Sequence, residues 1–205
     1  AITSRLAGLA VLAAGPVALL RRLRAAQPRH RRPGTLPTAP SPESAPIEAM
    51  IRTAAAPTVT ELIDLTLRAM ARDLLDSHSP VPDVVGVHVA TDTLRLLLWT
   101  PHTTPPAGWT VDDDGRSWVT STNTDIDRLR DRARGVAAPY PALVTIGHGD
   151  HAQLLLNLEY LGAAQITGDP HDVLATCLTI ATELAATPFA DDLQVVCVGF
   201  GADLA

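Results

Sequence analysis

Lysine is absent: all sixteen basic residues of this 205-residue chain are arginine. Alongside heavy alanine usage, that bias points to a GC-rich genome rather than to a physical requirement. Aromatic residues amount to 3%, so any core must be built from Leu, Val, Ile and Ala. Two cysteines exclude a disulfide framework. Cys177 and Cys197 lie in the apolar runs ATCLTIA and VVCVGF, which predicts buried, reduced thiols in a cytosolic compartment. Residue 1 is not Met, so the chain reads as a piece of a longer one. With 46% apolar and 19% charged residues, wholesale disorder is excluded and one domain with an appendage is expected.

Charge is strongly unmixed. Residues 1–34 hold seven arginines and no acid, a charge of +7, whereas residues 35–205 carry −13. An acidic body repels phosphate backbones, so direct nucleic-acid binding by that part is not expected. The basic part follows an uncharged run between Arg5 and Arg21, LAGLAVLAAGPVALL. Fifteen helical residues rise about 22 Å, short of the roughly 30 Å of a hydrocarbon core. Snorkelling by Arg5 and residues further upstream could complete the span. A cleaved signal peptide would place its basic residues first, and here they come last. Residues 1–24 therefore read as a transmembrane helix or its carboxyl-terminal part. Arg21, Arg22, Arg24, Arg29, Arg31 and Arg32 form the stop-transfer signal, in contact with membrane lipids. Everything after about residue 24 is then cytoplasmic. Residues 25–57 follow as a basic and proline-rich linker with one short helix near IEAMIRTAA.

Residues 58–205 read as a mixed-sheet α/β domain, incomplete at its carboxyl end. Thr58 and Glu61 have the spacing of a capping box before an amphipathic helix to about Ser77. Strands VVGVHVA and TLRLLLW follow, joined by Thr91 and Asp92, with His88 as a half-buried strand histidine. In WTVDDDGRSWVT the acids Asp112, Asp113 and Asp114 lack the alternate spacing and distal Glu of a calcium loop. Asp114-Gly115 instead predicts a two-residue turn, with Trp109 and Trp118 as cross-strand partners. TDIDRLRDRARG is a charged surface helix or connection. Then come strands ALVTIG, AQLLLNLE and AAQITG, a helix HDVLATCLTIATELAA opened by Pro170, and a fully covered central strand LQVVCVGF. Leu174, Leu178, Ala181 and Leu184 form the helix's expected buried stripe.

Catalytic constellations do not assemble. His148 and His151 share a Gly-containing turn between strands and lack the further ligands zinc requires. The turn Gly168-Asp169-Pro170 opens a helix, where phosphate loops hold nucleotides. GDPHDVLAT, however, has no second Gly and no Lys, and Asp169 and Asp172 stand where an anion would sit. The position reads as a degenerate phosphate loop or a plain turn, so the residues call for no cofactor, no metal and no small-molecule substrate.

From RRPG through PPAGWTVDDDGRSWVT, PYPALVTIGH and QITGDPHDVLATCLTIATELAATPFADDLQVVCVGFG, the chain resembles the cytoplasmic middle region of large actinobacterial membrane proteins. Those proteins carry LysM and bacterial transcriptional activator (BTAD) domains elsewhere. The last of these segments is also similar to the P-loop ATPase modules of FtsK/SpoIIIE-type and type VII secretion motors, without their Lys and Ser/Thr. The resemblance implies a non-catalytic scaffold or regulatory module, linked to transcription control or cell-envelope signalling and bound to a protein partner. The alternative is a divergent nucleotide hydrolase or a secretion-machinery component.

The charge bias makes a direct prediction about topology. A cytoplasmic reporter fused after Gly34 is active and a periplasmic alkaline phosphatase fused there is silent. Phosphatase activity at that junction would reverse the assignment.

Overall fold

The computed structural model describes residues 57–112, 114–148, 152–191 and 193–199. The expected membrane helix, its arginine cluster and the linker helix lie outside these residues. Among the described residues no helix is long and apolar enough to cross a membrane.

The first helix, α1 (Pro57–Asp76), begins at Pro57, one residue ahead of the expected cap, so Thr58 sits inside its first turn. Its sequence puts Ile63, Leu67, Met70 and Leu74 on one face, and all four are at most 2% exposed against the sheet. The chain leaves α1 by a helix-stop motif. Ser79 N–H donates to the Leu74 carbonyl at 2.8 Å and His78 N–H to that of Leu75 at 3.0 Å, with His78 left-handed at φ 55°.

Four strands and a helix follow: β1 (Val84–Ala90), β2 (Thr93–Leu98), β3 (Thr110–Val111), β4 (Ser117–Ser121) and α2 (Ile126–Ala133). Then come β5 (Leu143–His148), β6 (Ala152–Asn157) and the helices α3 (Leu158–Leu161) and α4 (Pro170–Ala186). The strands form one sheet in the order β3-β4-β2-β1-β6-β5, and every pairing is antiparallel. The fold is thus α/β in content, and the mixed sheet expected from the sequence is corrected to an antiparallel one.

Strand periodicity selects the buried face. Val87, Leu96, Trp118 and Leu155 are aligned across four strands and fully buried. Trp118 is locked further, its indole N–H donating to the His102 carbonyl at 2.8 Å. At Gly86 a Cβ would stand 2.6 Å from the Leu155 carbonyl oxygen, so β1 can approach β6 there only as glycine.

Two strands expected from apolar runs do not form. Residues 163–167 are irregular and exposed, and 193–198 pair with no strand, leaving Val196 74% and Val198 83% exposed. Hairpin neighbours already fill the sheet's interior. At the β5 edge, the Thr145 N–H is engaged by the Glu183 carboxylate of α4 (3.1 Å), so that outward donor is closed to another strand. The expected stripe of α4 is also corrected: Leu174 is 45% exposed, and Glu183 and Ala186 are the buried residues. Cys197 is exposed and Cys177 half-buried, against the expectation of two buried thiols.

The helix stop supplies a stability test. A non-glycine residue in the left-handed region costs roughly 1–2 kcal/mol, part of which glycine returns through its greater unfolded-state freedom. His78→Gly is expected to raise stability by about 0.5–1 kcal/mol, and His78→Val to lower it, in urea unfolding.

Candidate ligand-binding groove

The helical layer does not cover the whole sheet. α2 packs on α1 through Leu65, Ala69, Leu129 and Ala133, in a cluster separate from the sheet core. Two ion pairs tie the helices together, Glu61 with Arg130 (2.6 Å) and Asp73 with Arg132. Since α2 is held by α1 and not by strands, a gap remains between this helix pair and the β3–β4 end of the sheet. It is a cavity of about 320 Å³, near the lower bound of small-ligand sites.

Each wall follows from local sequence. α1 contributes Thr66, Met70 and Asp73, α2 contributes Arg128, Leu129 and Arg132, and Gly108, Trp109, Thr120 and Ser121 come from the hairpin side. Arg128 and Arg132 are four residues apart, so one helix face carries both. Arg132 is neutralised by Asp73, whereas Arg128 has no hydrogen bond or ion pair among the described residues. The hydroxyls are already oriented. Thr120 donates to the Gly108 carbonyl at 2.8 Å, and Thr124 to that of Ser121 at 3.2 Å. Ser121 Oγ accepts the Asn123 N–H at 3.1 Å, which leaves its own proton for a ligand.

Other positions singled out in the sequence do not converge here. Asp169 caps α4, its carboxylate accepting the His171 N–H at 2.9 Å, with Pro170 at the first helical position. The chain reaches Gly168 through an irregular segment and not from a strand. His88 is half-buried on β1, opposite Arg95 and Leu154. Asp112 accepts from the Ser117 hydroxyl (2.5 Å) and N–H (3.1 Å), and these bonds hold its carboxyl below the ordinary value. Asp114 accepts the Arg116 N–H at 2.8 Å. The hairpin loop is longer than expected: Asp112 N–H donates to the Ser117 carbonyl, so the chain turns between these two residues, with Gly115 at φ 72°. In that register Trp118 faces Val111, which corrects its expected pairing with Trp109. The turn of residues 149–151 lies outside the described residues.

Two positions were missed by sequence reasoning. Arg128 lies in a run of alternating Asp and Arg that conceals which cation is unpaired. Glu183 was legible only as a lone acid in an apolar helix. It is 5% exposed and accepts from the Thr145 N–H and, at 2.8 Å, the Thr145 hydroxyl. No protein-family model, curated protein or solved structure matches the chain.

Burial raises the Glu183 pKa above its ordinary 4.5, a shift reduced by the Thr145 hydrogen bonds. The folded state therefore holds this proton more tightly than the unfolded state. Folding is favoured below pH 4.5, and the contribution is lost as pH rises from there through the folded value. Glu183→Gln keeps an acceptor and removes the ionisation. Urea midpoints of variant and native chain, compared between pH 4 and 8, are expected to diverge in favour of the variant as pH rises. A constant difference would place the proton elsewhere.

Proposed function

We propose that this chain is a non-catalytic scaffold or regulatory module, tethered to the cytoplasmic face of a membrane, that recognises a protein partner through the groove. The observation that supports this reading is the groove's ionisable inventory. It consists of Asp73, Arg128 and Arg132, with Asp73 and Arg132 paired. A guanidinium remains protonated at any physiological pH, so these groups attract charge without exchanging a proton. Binding chemistry is well served there and general acid–base chemistry is not.

The tether rests on the apolar run 6–20 and the arginines that follow it. Against the hydrolase alternative stand Asp169, which occupies the α4 terminus with its own carboxylate, and the exposed Asp172 in the same turn. An acidic surface also disfavours nucleotide.

A photo-crosslinking residue replacing Thr124 at the groove, introduced into the full chain in its native membrane, is expected to yield a discrete protein adduct. The same residue replacing exposed Glu159 on α3, which borders β1 and β5 at the other end of the sheet, yields none. Magnesium-dependent ATP hydrolysis abolished by Asp169→Ala would favour the hydrolase reading instead.

A further inference from the structure

Seven of the eight described arginines spend their guanidinium groups on the chain. Arg68, Arg95, Arg130, Arg132 and Arg134 pair with carboxylates, and Arg72 and Arg116 donate to backbone carbonyls. Arg128 is the exception among the described residues, and it lines the groove together with hydroxyls and the Trp109 indole. Resting on the reading of this groove as a recognition site, we infer that it binds an acidic peptide segment of a protein partner by a single carboxylate, held on Arg128 and the Ser121 hydroxyl.

Donor count and charge select this ligand. Arg128 offers a planar fork matched to two carboxylate oxygens, and Ser121 supplies one further O–H. The oxygens of Thr120 and Thr124 have already given up their protons, so they face a ligand as acceptors suited to peptide N–H groups. Trp109 and Leu129, each 9% exposed, leave a narrow apolar wall for a neighbouring side chain. The residues lining the groove sum to +1 once Asp73 and Arg132 cancel, within a segment of −13 over residues 35–205. A monoanion is balanced by Arg128 alone. A phosphate group of about −1.5 to −2 would leave excess charge facing an acidic surface. The site therefore discriminates by charge number as well as by sign.

The test uses the full 205-residue chain in detergent micelles and a fluorescein-labelled nonapeptide with one central Glu among Ala, Leu and Ser. Anisotropy is expected to show saturable binding, weakened about tenfold (about 1.4 kcal/mol) by either Arg128→Ala or Arg128→Gln. Arg134→Ala removes the same charge outside the groove and is expected to leave binding unchanged. Unlabelled peptides with Gln or phosphoserine at the central position should compete at least tenfold more weakly than the Glu peptide, and acetate more weakly still. Equal competition by the Gln peptide would overturn the carboxylate assignment while leaving a peptide-recognition groove. Tighter binding of the phosphoserine peptide would overturn it in favour of a phosphopeptide, and acetate matching the peptide in favour of a small acid. Binding indifferent to both Arg128 variants, or no binding at all, would also overturn it. The adduct at Thr124 separately decides whether the groove meets a partner.

Discussion

The guanidinium of Arg68 joins three stretches of chain that are distant in sequence. Its five N–H groups all find acceptors: the Asp64 carboxylate, the Val136 and Pro188 carbonyls, and both oxygens of Asp191. The Asp191 bonds lead in holding its pKa above the ordinary value, while burial pushes Asp64 upward despite the adjacent cation. The Arg68 and Asp64 side chains are 13% exposed and Asp191 is 43% exposed, so removing one member costs less than the roughly 3–5 kcal/mol of a fully buried pair. This cluster helps hold the stretch directly after α4 against α1. Asp191 also receives the Ala138 N–H, and Phe189, two residues earlier, enters the sheet core. With its end fixed, α4 lies along the β5 edge, where Glu183 engages the outward N–H of Thr145.

The groove follows from how few elements cover the sheet. One long helix supplies most of the apolar cover, and its two faces serve two clusters: Ile63, Leu67 and Met70 reach the sheet, while Leu65 and Ala69 hold α2. A short helix held by another helix cannot also close over β3 and β4. The resulting gap exposes hydroxyls from strand ends and a cation from the helix. Such groups would be costly in a closed core and are useful in an open one. Charge pairing within α2 and from α2 to α1 then decides which arginine is left over. Arg130 is shared by Glu61 and Asp127 and Arg134 is held by Asp131, so Arg128 is the unspent charge.

Local signals in the sequence were reliable for most elements, the exceptions being the Thr58 cap and the turn between Asp112 and Ser117. The α1 periodicity, the hairpin through Thr91 and Asp92, the charged helix at 126–133 and Pro170 at the start of α4 depend on short-range rules. The larger failures are long-range. Apolar runs at 163–168 and 193–200 carry strand propensity, but propensity cannot say whether an edge is free to receive them. The stripe assigned to α4 rested on the same assumption of a sheet beneath it. Since α4 meets the sheet at its edge, a carboxylate became the buried group and Leu174 an exposed one. The groove was illegible because it is made by what α2 fails to cover, and no residue pattern records a gap.

These two misreadings have a common physical origin that bears on recognition. A sheet closed by hairpins satisfies its own interior and leaves the carboxyl-terminal arm with apolar side chains in water, Val196 and Val198 among them. That arm offers area without direction, because apolar contact is not orientation-specific. The groove offers the reverse, little area but an ordered set of donors and acceptors around one unpaired cation. Area contributes affinity, whereas placed hydrogen bonds and charge select among partners and fix their register. On the proposed reading, discrimination resides at Arg128 on the α2 side of the sheet, and not along the more conspicuous apolar residues of segment 193–198.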